Sequence, residues 1–166
     1  PPRSTLFPYT TLFRSGVALV FLPEFDKTHL SGVTHWISQD KALIIMSLRY
    51  KTNDHFWFTF FHEAAHILLH GKKQTFIDEI KINDSDEQEG EANRFARNIL
   101  IPDNEYKKFK EKGFFDVTDI VQFADNIAIH PGIVVGCLQH DGKIKYSFHN
   151  HLKDKFEFKL NADGQE

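Results

Sequence analysis

The sequence predicts an α+β fold, in which a small N-terminal β-sheet packs against a helical core. Three short apolar segments come first in the chain, at residues 17–22, 33–38 and 42–48, and their length is that of strands. Downstream, apolar residues recur at helical spacing around residues 56–71 and 86–101. Strands followed by helices, rather than strands alternating with helices, are typical of the α+β class.

The first segments are predicted to form one sheet. Residues 17–22 end at Pro23, and residues 39–41 make a hairpin-like gap between the second and third segments. We expect a sheet of at least three strands, packed against the helix that follows. A strand edge beside that helix would let a peptide substrate pair with it by main-chain hydrogen bonds.

The length fits a single domain. A chain of 166 residues has the size of one domain, which we place at residues 16–160, and residues 161–166 are expected to form a frayed polar tail. Residues 1–15 hold three prolines and no acidic residue, and residues 5–15 resemble an in-frame translation of a sequencing adapter. We therefore interpret residues 1–15 as an artefact or a disordered arm and leave them out of the fold prediction.

Charge and composition exclude several classes of function. The net charge is −3 and no basic stripe occurs, so direct nucleic-acid binding by this segment is not expected. No apolar run approaches the ~20 residues of a membrane span, and no signal peptide is recognisable, so no membrane partner is expected. Cys137 is the only cysteine, which fits a reducing, cytoplasmic location, and its apolar surroundings predict a core residue.

The predicted chemistry begins with His62-Glu63-Ala64-Ala65-His66, which matches the pattern H-E-x-x-H. On a helix, the i, i+4 spacing places the two imidazoles one turn apart on one face, where both reach a single metal ion. Glu63 lies about 100° around the helix from His62, near enough to bond a metal-bound water without being a ligand. This arrangement is typical of a hydrolytic zinc site.

The helix that carries the motif is predicted to be buried. Apolar residues flank the motif on both sides, Asn53 and Asp54 offer an N-cap, and Gly71 offers a C-terminal stop. Two histidines and a glutamate inside a buried helix are costly unless something pairs them. A metal therefore explains the motif better than two core histidines do.

A zinc site with two histidines needs a third protein ligand and an open fourth position. The helix predicted at residues 86–101 is ended by Pro102, and the acidic residues of its first turn are otherwise expected to be solvated. Glu89 and Glu91 are the candidates. Glu89 lies roughly 60° from the centre of the apolar face and Glu91 roughly 100°, so Glu89 is the predicted ligand. The apolar face consists of Ala92, Phe95, Ala96, Ile99 and Leu100.

His70 follows His66 by one helical turn and shares the face of both motif histidines. The rise from His62 to His70 is about 12 Å, so a metal between them would need a linear arrangement that zinc does not adopt. We assign His70 to the helix C-terminus, where the helix dipole favours a histidine.

The rest of the chain is predicted to hold more helix and one more strand. Residues 102–112 have the pattern of a short, exposed, lysine-rich helix, and residues 117–129 that of a helix with an apolar inner face. Residues 130–132 (His-Pro-Gly) break the chain before the apolar segment 133–140, and residues 143–148 alternate like a strand. The predicted inward residues of the 117–129 helix are Ile120, Val121, Phe123, Ala124 and Ile127.

The motif and the second helix together resemble the ImmA/IrrE family of metallo-endopeptidases. The resemblance rests on residues 62–66 and on Glu-Gly-Glu-Ala-Asn-Arg-Phe-Ala at residues 89–96. Further matches are Leu-Ile-Pro at residues 100–102 and Pro-Gly-Ile-Val-Val-Gly at residues 131–136. The similarity extends over about residues 16–152.

The resemblance implies a zincin-like helical core and a Zn²⁺ cofactor. It makes His62, His66 and Glu89 the zinc ligands and Glu63 the general base. It also implies a protein substrate: a helix-turn-helix repressor of a phage, mobile-element, toxin–antitoxin or stress operon, cleaved to relieve repression. Many relatives carry an N-terminal helix-turn-helix that this chain lacks, so a fragment of a longer DNA-binding regulator is an alternative interpretation.

The expected function is therefore that of a zinc-dependent endopeptidase. The donor for the tetrahedral oxyanion is left open among His140, His130 and Tyr146, because the sequence does not choose between them. Two rival hypotheses are kept. One is a non-catalytic, zinc-stabilised regulatory or antitoxin-like module that binds a protein partner, and the other is a zinc-free structural domain with core histidines.

Overall fold

The structure is a computed structural model that describes residues 10–12, 16–22, 31–47, 50, 52–70 and 86–156. The predicted helix stop at Gly71 and the predicted tail at residues 161–166 lie outside the described residues.

Four strands at the N-terminus form one sheet: β1 (Thr10–Leu12), β2 (Val17–Leu22), β3 (Gly32–Ser38) and β4 (Lys41–Ser47). Their order across the sheet is β1-β2-β4-β3. β2 and β4 run parallel, whereas β3 and β4 form an antiparallel hairpin joined by residues 39–40. Among the strands of the described residues, β3 is therefore an edge strand. The predicted α+β fold with a small N-terminal sheet is confirmed.

The strand at the other edge lies within residues 1–15, which the fold prediction leaves out. β1 pairs antiparallel with β2, with Thr11 opposite Leu19. The expectation that residues 1–15 stay out of the fold is therefore wrong for Thr10–Leu12. The physical reason is the open hydrogen-bonding edge of β2, which a short strand of almost any composition can pair with.

The helix α1 (Asn53–Leu69) lies between the sheet and the C-terminal helices. Phe56 and Phe60 pack against the apolar cluster of the sheet. Phe58 and Phe61 pack against the cluster formed by the C-terminal helices. Because α1 is packed on two faces, its position relative to both clusters is fixed.

The burial of α1 differs from the prediction of a helix that is buried all round. Leu68 is 67% exposed and Leu69 is exposed as well. The apolar clusters reach along α1 only as far as Ile67, so its last turn lies beyond them. Several of the best-buried positions are polar instead. The buried residues of α1 are Asn53, Asp54, Glu63, Ala65 and His66.

The predicted N-cap of α1 is wrong. The N-cap position is taken by Thr52, which makes no side-chain cap hydrogen bond, and Asn53 and Asp54 lie inside the first turn. Both side chains are used in tertiary contacts. Nδ2 of Asn53 lies 2.7 Å from Nδ1 of His130, and Oδ2 of Asp54 lies 2.6 Å from Nζ of Lys153. Because these partners are distant in sequence, local capping patterns do not reveal them.

Four further helices form the helical core: α2 (Asp86–Leu100), α3 (Asp103–Glu111), α4 (Val117–Asn126) and α5 (Pro131–His140). The sequence predicts helices in the regions of the first three, whereas for α5 it indicates only an apolar segment. A short 3-10 helix follows at Asn150–Leu152. Among the described residues, no single helix has the length and apolar character that crossing a membrane would require.

Three details of these helices differ from the prediction. Ile99 is exposed, because it lies beside rather than on the buried row of α2. α3 is not fully exposed, since it buries Tyr106 and Phe109. α4 ends at Asn126, because Ala128 adopts a left-handed backbone conformation with φ of 54° that a helix does not continue through. The buried row of α2 is Ala92, Ala96 and Leu100.

Residues 143–148 form turns rather than the predicted strand. The reason is Gln139, a buried residue of α5. Its Nε2 donates to the carbonyl oxygens of Tyr146 and Phe148 at 3.2 and 2.9 Å. These bonds satisfy carbonyl groups that a strand would offer to a neighbour, so the chain curls back toward α5.

Candidate metal centre

α1 and α2 pack side by side and bring the three predicted ligands together. Nε2 of His62 lies 3.1 Å from Nε2 of His66. Glu89 on α2 reaches both rings, with Oε2 3.3 Å from Nε2 of His62 and Oε1 3.6 Å from Nε2 of His66. In the described part of the chain, these residues form the only group of three potential metal ligands, all within 4.8 Å of one another.

The spacing of these atoms fits a metal ion. Zinc binds histidine nitrogen and carboxylate oxygen at about 2.0–2.2 Å, which in a tetrahedron separates neighbouring ligand atoms by about 3.3–3.5 Å. The three separations of 3.1, 3.3 and 3.6 Å lie around this range. Three protein ligands also leave one tetrahedral position for water or substrate.

Hydrogen bonds on the far sides of the rings orient both histidines. Nδ1 of His62 lies 3.0 Å from Oδ1 of Asn93. An amide oxygen only accepts, so Nδ1 carries a proton, and Nε2 of the neutral His62 ring keeps its lone pair, as a metal ligand must. Nδ1 of His66 lies 3.0 Å from Nδ1 of His70. The sequence analysis missed Asn93, although it lies one helical turn after Glu89 on the same face.

Glu91, the other candidate for the third ligand, contacts a different residue. Its Oε2 lies 3.1 Å from Nε2 of His70. His70 is the C-cap residue of α1, which confirms its predicted place at the helix C-terminus. Its ring also touches His66, however, so His70 lies directly behind the metal-binding face.

Glu63 is buried and is held by the edge strand β3. Glu63 is 6% exposed. Oγ1 of Thr34 lies 2.8 Å from Oε2 of Glu63 and 2.9 Å from the backbone carbonyl oxygen of Glu63. Gly32 permits this close approach, because a Cβ atom there would lie 2.7 Å from Oε1 of Glu63. The sequence analysis missed Thr34 and Gly32, since no local pattern indicates which strand residue faces a helix residue.

Comparison with known protein families gives the class of this site. A sequence model of the peptidase M78 family, described as the IrrE N-terminal-like domain, matches residues 14–129. The chain belongs to the peptidase M78 family. The matched residues include Glu63 and all three converging residues, and the resemblance to the ImmA/IrrE family is confirmed. This is therefore a metallopeptidase-like domain. A search of curated proteins found no match.

The candidate oxyanion donors all lie beyond the residues that match the M78 family. Nε2 of His130 lies 3.1 Å from Oδ2 of Asp154, and Nδ1 of His130 contacts Asn53. Asn53 lies about 13 Å from His62 along the axis of α1. Tyr146 is 68% exposed in the turn segment after α5. His140 lines a cavity that adjoins the metal centre. The choice among the three stays a prediction.

The cavity beside the candidate metal centre has a volume of about 250 Å³ and lies between α1, α2 and α5. It adjoins the centre through Asn93, which bonds His62, and Phe58, whose ring centroid lies 6.2 Å from that of His62. Burial raises the pKa of the Cys137 thiol in its wall to about 11, so this thiol stays protonated and is no nucleophile at neutral pH. Further lining residues are Leu100, Ile133, Arg94 and His140.

Proposed function

We propose that this protein is a zinc-dependent endopeptidase that cleaves a helix-turn-helix repressor and thereby relieves repression. The observation that carries the proposal is the convergence of His62, His66 and Glu89 beside a buried carboxylate, Glu63. Membership of the M78 family supports the metallopeptidase class. The substrate follows from the resemblance to ImmA/IrrE peptidases, and the cytoplasm is the proposed location because repressors act there.

His62, His66 and Glu89 would hold the zinc ion. The unprotonated Nε2 of His62 and the Glu89 carboxylate are both acceptors and lie 3.3 Å apart, so they favour a cation between them. When bound, zinc polarises the scissile carbonyl and lowers the pKa of a coordinated water.

Glu63 would act as the general base. Its carboxylate takes the proton of the attacking water and then passes it to the leaving amide nitrogen. The hydroxyl group of Thr34 holds one carboxylate oxygen, and burial keeps competing water away.

The edge strand β3 offers a place for the substrate backbone. β3 pairs with β4 on one side and forms the edge of the described sheet on the other. Because Thr34 of β3 contacts Glu63, a peptide that pairs with this edge would pass close to the base. The adjoining cavity would receive a side chain, and its apolar walls and the exposed Arg94 suit an apolar residue with an acidic neighbour.

A cleavage experiment tests the proposal. The purified protein is loaded with zinc and incubated with the repressor encoded beside its gene, and the products are identified by mass spectrometry. We expect two repressor fragments. The matched variant is Glu63→Gln, which is expected to keep zinc and to lose cleavage by at least about 10²-fold, because the base is gone. Normal cleavage by Glu63→Gln would show that Glu63 is not the base.

The second candidate function is a non-catalytic, zinc-stabilised module that binds a protein partner. The placement of two candidate oxyanion donors favours it: His130 lies at the far end of α1, and Tyr146 is exposed to solvent. Size-exclusion chromatography of the same incubation separates the two functions. A stable complex with intact repressor supports the binding module, and fragments support the peptidase.

A further inference from the structure

A chain of hydrogen bonds runs from His66 to the surface of α2. Nδ1 of His66 lies 3.0 Å from Nδ1 of His70, and Nε2 of His70 lies 3.1 Å from Oε2 of Glu91. Only 9% of each histidine side chain is exposed, whereas 44% of the Glu91 side chain is exposed. The chain therefore links a proposed metal ligand inside the fold to a carboxylate at its surface.

The direction of these hydrogen bonds follows from the chemistry of the three groups. The carboxylate of Glu91 only accepts, so Nε2 of His70 must carry a proton and donate it. A neutral imidazole has one N–H, so Nδ1 of His70 is then the acceptor. Nδ1 of His66 must therefore be the donor across the 3.0 Å contact. This leaves Nε2 of His66 without a proton and with its lone pair toward His62 and Glu89.

We propose that His70 and Glu91 are positioning residues that hold His66 in its metal-ligating tautomer and orientation. The inference rests on the proposed metal site. A second partner of this kind fixes the ring plane of a ligand histidine and raises its basicity. Asn93 of α2 does the same for His62 through a direct contact. His66 is connected to Glu91 of α2 through His70, so each ligand histidine is held by a residue of α2.

The place of His70 at the end of α1 does not by itself explain these contacts. A histidine that only complements the helix dipole needs no partner and is free to lie in solvent. His70 instead exposes only 9% of its side chain and uses both ring nitrogens in hydrogen bonds, one to a proposed ligand and one to α2.

Zinc affinity of the whole protein, measured by competition with a chromophoric chelator in the absence of substrate, tests the inference. We expect His70→Phe and Glu91→Leu to weaken zinc binding by about 10- to 100-fold. Glu91→Gln keeps an oxygen acceptor and is expected to bind zinc within about threefold of the unmodified protein. The visible absorption of the Co²⁺-loaded protein should lose intensity or shift in the first two variants and not in the third, because a reoriented His66 changes the coordination geometry.

Two matched controls separate positioning from general damage. His55→Phe makes the same change on α1 at a side chain that is 46% exposed, and Glu87→Leu makes the acidic change on an exposed position of α2. Both are expected to leave zinc affinity unchanged. Because 44% of the Glu91 side chain is exposed, the Glu91 variants are expected to fold even if His70→Phe does not. A melting curve of each metal-free protein checks folding.

Three results would overturn the inference. If Glu91→Leu bound zinc with an affinity within twofold of that of the unmodified protein, the hydrogen bonds through His70 and Glu91 would not support His66 as a ligand. An equal loss in Glu91→Gln and Glu91→Leu would show that no acceptor role is involved. An unmodified protein that binds no zinc would remove the proposed function as well, whereas the first two results leave zinc binding and cleavage by the unmodified protein intact.

Discussion

Oγ1 of Thr34 lies 2.8 Å from Oε2 of Glu63, and this contact joins the edge of the sheet to the proposed base. A glutamate on a helix has several rotatable bonds, so α1 alone does not fix where its carboxylate points. The hydroxyl of Thr34 selects one orientation, and Gly32 leaves the space for it. The sheet is therefore part of the site, not only a support for the helix.

Thr34→Val tests this contact, because it keeps the shape of the side chain and removes the hydroxyl group. A hydrogen bond to a buried carboxylate contributes about 1.5–3 kcal/mol. Its loss is expected to lower the rate of repressor cleavage about 10- to 100-fold. Zinc affinity should stay unchanged, because Thr34 contacts none of the three ligands. Cleavage kinetics and chelator competition measure both. Thr34→Ser restores the hydroxyl and should restore the rate; a serine variant as slow as the valine variant would count against the contact.

Gly32→Ala tests the close approach of β3 to α1. The added Cβ atom would lie 2.7 Å from Oε1 of Glu63 and 2.6 Å from Cγ2 of Thr59. We expect a loss of about 1–3 kcal/mol in the free energy of unfolding and slower cleavage, because the carboxylate must move. Urea denaturation and cleavage kinetics measure the two effects. The control is Gly90→Ala on α2, where the nearest atom is Nη1 of Arg94 at 3.4 Å and the substitution should stabilise the helix by about 0.5–1 kcal/mol. Equal stability changes in the two variants would refute the steric argument.

The buried pair of Asp54 and Lys153 predicts a large effect on stability. Their side chains are 7% and 8% exposed, with Nζ 2.6 Å from Oδ2, and the pair fastens the segment after α5 to the first turn of α1. Lys153→Met leaves the carboxylate buried and unpaired, which costs about 3–5 kcal/mol in the free energy of unfolding. Lys107→Met, which breaks a solvent-exposed pair with Asp103, should cost less than about 1 kcal/mol. Urea denaturation of both variants measures the difference, and similar midpoints would show that the buried pair contributes little.

The parts of the site that lie on one helix face could be predicted from the sequence. The i, i+4 spacing of His62 and His66 fixes their common face, and the helical angle of Glu89 relative to the apolar residues of α2 separates it from Glu91. The structure brings Glu89 to the two rings, as these angles indicate. It also places Glu91 against His70, a contact that the sequence analysis did not predict.

The rest of the site depends on contacts between distant elements, which a local pattern does not encode. Thr34 reaches Glu63 only because β3 packs across α1. Asn53 and Asp54 do not cap α1, because their side chains contact His130 and Lys153 instead. The prediction of a strand at residues 143–148 is wrong for the same reason, because the buried Gln139 donates hydrogen bonds to two carbonyl groups of this segment. Local preferences are weak enough for tertiary contacts to override them.

The most direct test of the account is the zinc content of the purified protein and of Glu89→Ala, each stripped of metal, reloaded with zinc and measured by mass spectrometry after removal of free ions. The account predicts about one zinc per chain in the unmodified protein and a much weaker, readily removed zinc in Glu89→Ala, because two histidines alone do not complete the site. Glu105→Ala, at an exposed position of α3, should retain the metal fully. An unmodified protein without zinc, or a Glu89→Ala variant that binds zinc as tightly, would contradict it.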